Sequence, residues 1–96
     1  MTEAEIEETI EGFVQAARRC WESGFDGVEV WAAYHGIVDQ FWTPWSNRRD
    51  DQWGGSLENR TRFSREIITR TRKLCGDDFI IGISVSDEPD FEVALQ

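Results

Sequence analysis

Asn47-Arg48-Arg49-Asp50-Asp51-Gln52-Trp53-Gly54-Gly55-Ser56-Leu57-Glu58-Asn59-Arg60 is the densest run of charge, amide and paired glycine in the chain. Connections between elements in compact domains have a median of about 4–6 residues. A longer stretch, with so many groups able to pair internally, points to a folded loop on a rigid scaffold. An apolar, β-branched pattern precedes it and an amphipathic helical pattern follows it. Their order decides the fold.

Upstream, Thr2 and Glu5 make a capping box that opens a helix. Ile6, Ile10, Phe13, Val14, Ala17 and Trp21 recur at helical spacing and predict one buried stripe. Glutamates in the first turns and Arg18 and Arg19 near the far end suit the helix dipole, and Gly24 is a natural stop. Val28–Ala33 reads as a strand, with Val28 and Val30 facing the helices and Glu29, Trp31 and Ala33 facing the other way. A long loop is expected from about Tyr34 to Gly55. Ser56 then caps a second helix with a stripe of Leu57, Phe63, Ile67, Ile68, Thr71 and Leu74, closing near Gly76. A second strand is expected over Phe79–Ser86, apolar along most of its length as buried parallel strands are. Asp87-Glu88-Pro89 reads as a loop, followed by the start of another helical pattern.

Helix, strand, long loop, helix, strand is the α-β-α-β order of a parallel α/β sheet or barrel. Two parallel strands with helices on one side leave a sheet face bare, here Glu29, Trp31, Ile80 and Ser84. A whole (β/α)8 barrel needs about 250 residues. The expectation is therefore a slice of a larger fold.

Composition narrows the function. Ten Lys and Arg stand against nineteen Asp and Glu, a net charge of −9, which argues against nucleic acid or an anionic membrane surface as partner. The acids crowd the two ends, while most basic residues lie between Arg48 and Lys73. Cys20 and Cys75 are far apart and belong to no metal-ligand spacing, so no metal site is expected and reduced thiols are the simpler reading. Without a long apolar run or a signal-peptide pattern, the sequence reads as cytoplasmic.

Gly24-Phe25-Asp26-Gly27-Val28-Glu29-Val30, Asp39-Gln40-Phe41-Trp42-Thr43-Pro44, Asn47-Arg48-Arg49-Asp50 and Gly54-Gly55-Ser56-Leu57-Glu58-Asn59-Arg60 together resemble the old yellow enzyme family of NADH:flavin oxidoreductases. The branch that includes 2,4-dienoyl-CoA reductase and trimethylamine dehydrogenase is the most similar. The resemblance runs from the first helix to Ser86. It implies that residues 1–96 are an internal segment of a single FMN-binding (β/α)8 domain, from roughly its fourth helix to its sixth strand. It further implies FMN as cofactor, NAD(P)H as an electron donor, a small-molecule substrate, and a homo-oligomeric full-length protein. Any iron–sulfur centre would belong to segments absent from this sequence, and the isolated segment is expected to be inactive.

Active-site groups of such barrels sit at the C-terminal ends of strands. The family usually places His, two small residues, then His or Asn at the end of the first strand seen here. This chain has Trp31-Ala32-Ala33-Tyr34 instead. Where the family has an Arg facing the flavin on the next strand, this chain has Ser84, a neutral hydroxyl that does not stabilise an anionic reduced flavin as a guanidinium does. The resemblance thus makes Trp31 and Ser84 the cofactor-side residues, Trp31 and Tyr34 the substrate-binding pair, and Tyr34 and His35 the candidate proton-handling groups. His35, the only histidine, lies one residue past the family's second position.

Trimethylamine dehydrogenase-like members also carry an aromatic at the first position, and aromatic faces attract methylated ammonium groups. The leading expectation is oxidative demethylation of a methylated amine. The competing ones are ene-reduction of an activated C=C bond with NAD(P)H and a non-catalytic remnant that keeps only the fold. In the blander reading of the residues, Trp31 fills the barrel core, Tyr34 begins the loop, and His35 is a bystander. Glu29 is expected to take an ion-pair or hydrogen-bond partner inside the barrel. Arg48, Arg49, Asp50, Glu58 and Arg60 are expected to pair among themselves, and Trp42, Trp45 and Trp53 to pack the loop down or meet a neighbouring subunit.

Overall fold

The computed structural model describes residues 1–85. The end of the expected second strand at Ser86, the loop at Asp87-Glu88-Pro89 and the helical start after it lie outside the described residues. Helix α1 (Glu3–Glu22) opens with the expected capping box: Thr2 N–H donates to Glu5 Oε1 at 2.8 Å and Glu5 N–H to Thr2 Oγ1 at 3.1 Å. Those Thr2 bonds hold the Glu5 carboxyl below its ordinary value. At the far end Gly24 takes φ +91°, a left-handed turn that suits glycine and stops the helix.

Strand β1 (Gly27–Ala32) and strand β2 (Ile80–Val85) form a two-stranded parallel sheet. The register runs from Gly27 opposite Ile80 to Ala32 opposite Val85, pairing Glu29 with Gly82 and Trp31 with Ser84. Both strands begin or end one residue from the expected bounds.

Between the strands the expected long loop is not all loop. Helix α2 (Ile37–Trp42) stands within it. Its two buried residues, Val38 and Phe41, lie three apart and turn one side of this short helix onto the core. The signature stretch connects α2 to a helix that Ser56 caps as expected, its hydroxyl accepting from Asn59 N–H at 3.2 Å. That helix breaks in two, α3 (Leu57–Arg60) and α4 (Arg62–Cys75). At the break Thr61 takes φ −90° and ψ −3°, and its N–H is shared between the Asn59 and Leu57 carbonyls, a tightened turn at the end of α3. Leu57, expected in the buried stripe, is exposed. Phe63, Ser64, Ile67, Thr71 and Cys75 form the buried line of α4, and Leu74 at its margin is exposed, as is Trp21 at the end of α1.

The core gathers Ile6, Ile10 and Val14 of α1, Val30 and Ala32 of β1, Val38 and Phe41 of α2, Trp53 of the loop, and Phe63 and Ile67 of α4. All of it lies on one side of the sheet. On the other side Glu29, Trp31 and Ile80 are exposed, the bare face expected from the strand parity. The charge asymmetry along the chain also resolves here. Arg70 of α4 reaches Glu7 of α1 at 2.9 Å and Glu66 of its own helix at 3.1 Å, so acidic α1 and basic α4 are stitched side by side.

Candidate functional site

At the C-terminal end of β1, Ala33 is buried and the next two residues leave the sheet abruptly. Tyr34 has φ 49° and His35 φ 63°, and Gly36 N–H donates back to the Ala33 carbonyl at 3.0 Å. Two successive left-handed residues inside a closed four-residue turn are the mark of a type I′ turn, a geometry normally given to Gly, Asn or Asp. Side chains as large as Tyr and His there cost on the order of 1–3 kcal/mol each, which the surroundings must offset. They do so at His35. Its N–H donates to Asp39 Oδ2 at 3.0 Å, and its carbonyl accepts from Gln40 Nε2 at 2.6 Å.

The turn delivers aromatic groups to one edge. The Trp31 side chain stands on the bare face of the sheet with the residue 53% exposed, and Tyr34 follows at 76%. Across the register Ser84 neighbours Trp31, its hydroxyl reaching the Val30 carbonyl at 3.5 Å. The His35 ring lies 6.0 Å from that of Trp45, tilted by 49°. Glu29, two residues before Trp31, shares its face and is exposed. The structure thus brings Trp31, Tyr34 and Ser84 to the end of the two strands, while His35 turns its ring to Trp45. A separate cleft of about 380 Å³, lined in part by Met1, Gln40, Asn47 and Arg49, includes none of these residues.

Behind this edge the signature stretch is a knot of side chains on backbone. Asn47 is 8% exposed. Its Nδ2 donates to the carbonyls of Phe41 at 2.7 Å and Trp53 at 2.9 Å, and its Oδ1 accepts from Arg49 N–H at 3.1 Å. Asp51 Oδ1 accepts from Trp53 N–H at 3.0 Å, and Asn59 Nδ2 donates to the Gly54 carbonyl at 3.0 Å. A Cβ on Gly54 would fall 2.5 Å from the Arg49 carbonyl and 2.7 Å from Asn47 Oδ1, so only glycine lets the two limbs of the loop meet.

The arginines differ from expectation. Arg48 donates to the Trp45 carbonyl at 3.1 Å, and Arg60 to the Trp42 carbonyl at 2.7 Å and the Gly55 carbonyl at 3.2 Å. They close helix and turn ends, because unpaired carbonyls at those ends are the nearest strong acceptors. Arg49 does take a carboxylate, that of Asp51 at 2.6 Å, rather than Asp50. Of the loop tryptophans, Trp53 is buried, Trp42 donates its indole N–H to Ser64 Oγ at 3.0 Å, and Trp45 is exposed. Sequence reading passed over Asn47, Asp51 and Asn59 as individuals. The signal was there: an Asx residue two before an ordinary residue, as in Asn47-Arg48-Arg49 and Asp51-Gln52-Trp53, can accept that residue's N–H.

Hydrogen bonds from the Arg49 guanidinium hold the Asp51 carboxyl below its ordinary value, with desolvation opposing and the Trp53 N–H assisting. A lowered folded-state pKa gives stability that is present above the unfolded value, about 3.9, and is lost as pH falls through the folded one. Asp51→Asn is accordingly expected to flatten the acid limb of a stability-versus-pH curve while leaving its shape above about pH 6 unchanged. An acid limb identical to that of the unsubstituted protein would show that the pair carries no linkage.

The profile of the NADH:flavin oxidoreductase / NADH oxidase family matches residues 1–95. The chain belongs to that family. Among flavin oxidoreductase relatives, N,N-dimethylglycine/sarcosine dehydrogenase of Chromohalobacter salexigens is 48% identical over 83 residues, covering 86% of this chain and 12% of that protein. The NADPH dehydrogenase of a Geobacillus species is 47% identical, covering 91% of this chain and 26% of the relative. The chain therefore spans between about an eighth and a quarter of these proteins. Among solved structures, 2-naphthoyl-CoA reductase with 2-naphthoyl-CoA superposes with a TM-score of 0.84 at 46% identity, over 86% of this chain and 13% of that one. Morphinone reductase with tetrahydroNAD superposes at 0.81 and 40% identity, over 88% and 23%. The fold is thus a partial (β/α)8 barrel of the old yellow enzyme kind, an α-β-α-β slice with a long βα connection.

Among the described residues no helix is long and apolar enough to cross a membrane, and no group of three or more His, Cys, Asp or Glu is placed to hold a metal ion.

Proposed function

We propose that residues 1–96 are an internal segment of one FMN-binding barrel domain, and that the complete barrel is a flavin-dependent oxidoreductase acting on a methylated amine. The observation that carries this reading is the pairing of Trp31 with Ser84 on the bare sheet face, with Tyr34 on the adjoining turn. An exposed indole at a strand end offers its face to a cation, worth about 0.5–2 kcal/mol when water is excluded. Glu29 on the same face adds a carboxylate of the sign a methylated ammonium requires. A relative named for dimethylglycine and sarcosine fits the same chemistry.

The bare face suits one edge of a flat, partly polar cofactor: Trp31 and Ser84 are register neighbours on it. These two residues would flank FMN, which supplies hydride acceptance when bound. The chain's own contribution is to orient the substrate against Trp31 and to hold a donor hydroxyl at Tyr34. His35, on the same turn with its ring against Trp45, is the second candidate proton-handling group.

Reduction of an activated C=C bond with NAD(P)H is the second reading, favoured by relatives named NADPH dehydrogenase and cinnamate reductase. Steady-state assays of the complete barrel with dimethylglycine and with cinnamate separate the two. Trp31→Ala is expected to raise KM for the amine roughly 2- to 30-fold, corresponding to about 0.5–2 kcal/mol of lost contact, with a smaller change in kcat. A barrel that reduces cinnamate and ignores methylated amines would overturn the amine reading.

A further inference from the structure

The turn that follows β1 is built to aim Trp31. A Cβ on Gly36 would lie 2.9 Å from both Cε3 and Cζ3 of the Trp31 ring and 3.2 Å from the Ala33 carbonyl. The indole is therefore seated on the bare backbone of Gly36, in space that any side chain would claim. Gly36 also closes the turn through its N–H to the Ala33 carbonyl. Its neighbour His35, in the left-handed region, is held at both backbone groups by side chains of α2, Asp39 on the N–H and Gln40 on the carbonyl. Backbone strain, a close approach and a paired side-chain clamp thus meet between Trp31 and Gln40, where the strand ends. Strain of this kind persists only where the surroundings over-determine it, and it gathers at sites whose geometry matters.

We infer that Gly36 and Asp39 are positioning residues: Gly36 sets the tilt of the Trp31 ring, and Asp39 locks the strained turn that presents Tyr34 beside it, so that together they set which substrates the aromatic edge accepts. The inference rests on the proposed role of Trp31 and Tyr34 in substrate binding. It does not depend on whether that substrate is an amine or an enoate. Gly36→Ala forces the ring to rotate or slide by a few tenths of an ångström or more. Asp39→Ala removes the acceptor from the His35 N–H and releases the turn. Asp39→Asn keeps an acceptor oxygen and should restore it.

The test uses the complete flavoprotein labelled with 5-fluorotryptophan, with the Trp31 resonance assigned by its loss in Trp31→Phe. Gly36→Ala is expected to move the Trp31 fluorine resonance while the other tryptophan signals hold. In steady state it is expected to change the ratio of kcat/KM between dimethylglycine and cinnamate at least fivefold. Asp39→Ala is expected to broaden or shift the same resonance and raise KM more than it lowers kcat, and Asp39→Asn to return both towards the parent. An unmoved Trp31 resonance in Gly36→Ala, or Asp39→Asn behaving like Asp39→Ala, overturns the inference. Failure of the parent to turn over either substrate would instead count against the proposed function, because the fluorine readout reports the ring's seat without turnover.

Discussion

Phe63→Ala is expected to destabilise the fold by about 3–5 kcal/mol, the range for removing a fully buried aromatic ring. Phe63 is 0% exposed. Its ring stacks on Phe41 at a centroid distance of 4.4 Å and an interplanar angle of 12°, and meets Phe13 edge-on at 6.1 Å and 89°. One side chain of α4 thus touches α1 and α2 at once, and α2 is the helix whose start carries the strained turn. Truncation opens a cavity whose walls belong to three separate helices, and such a site collapses poorly. The loss should include the aromatic pair terms, about 0.5–1.5 kcal/mol beyond area burial for each. Phe63→Leu, which keeps most of the volume, should cost less than half as much. Denaturant unfolding of the complete barrel measures both. Equal stability of Phe63→Ala and the parent would mean that α2 and α4 do not share a core.

Much of this arrangement could be read along the chain. The 3.6-residue spacing of Ile6, Ile10 and Val14 and the capping box at Thr2 placed α1 almost to the residue, because both signals are local and strong. Strand parity told that Glu29 and Trp31 would be bare, since alternation holds along a strand once one face carries helices. Ala33, expected beside them, is buried, because β1 ends at Ala32 and the alternation ends with it. What could not be read had non-local causes. Helix α2 is held by Val38 and Phe41 against α4 and β1, and six residues with a glycine cap do not announce a helix. The break at Thr61 is a backbone setting, φ −90° and ψ −3°, that no residue type there announces. At the site, residue types at Trp31, Tyr34 and Ser84 were visible. The left-handed pair at Tyr34 and His35 was hidden, because neither residue favours that geometry and the clamp that imposes it comes from Asp39 and Gln40 on the next helix.

Asn47 is where the signature stretch is most vulnerable, and its replacement by Ala is expected to cost about 2–4 kcal/mol. Three backbone groups depend on it: the carbonyls of Phe41 and Trp53 and the N–H of Arg49. A buried polar group left without a partner costs about 1–3 kcal/mol, and partial entry of water into the vacated space keeps the total below the sum. Asn47→Asp separates this account from a general preference for polarity. A carboxylate keeps the acceptor for Arg49 but presents oxygen to two carbonyls that need a donor, and the residue is 8% exposed. Asp is therefore expected to be at least as damaging as Ala at neutral pH. The damage should ease as pH falls, because a protonated carboxyl regains one donor. The consequence extends beyond stability. The Phe41 carbonyl lies on α2, so loosening Asn47 also loosens the helix that supplies Asp39 and Gln40 to the turn below Trp31. Thermal melts of the complete barrel across pH, run on Asn47→Ala and Asn47→Asp together, make the comparison. An Asp variant as stable as the parent at pH 7 would show that Asn47 donates nothing of consequence.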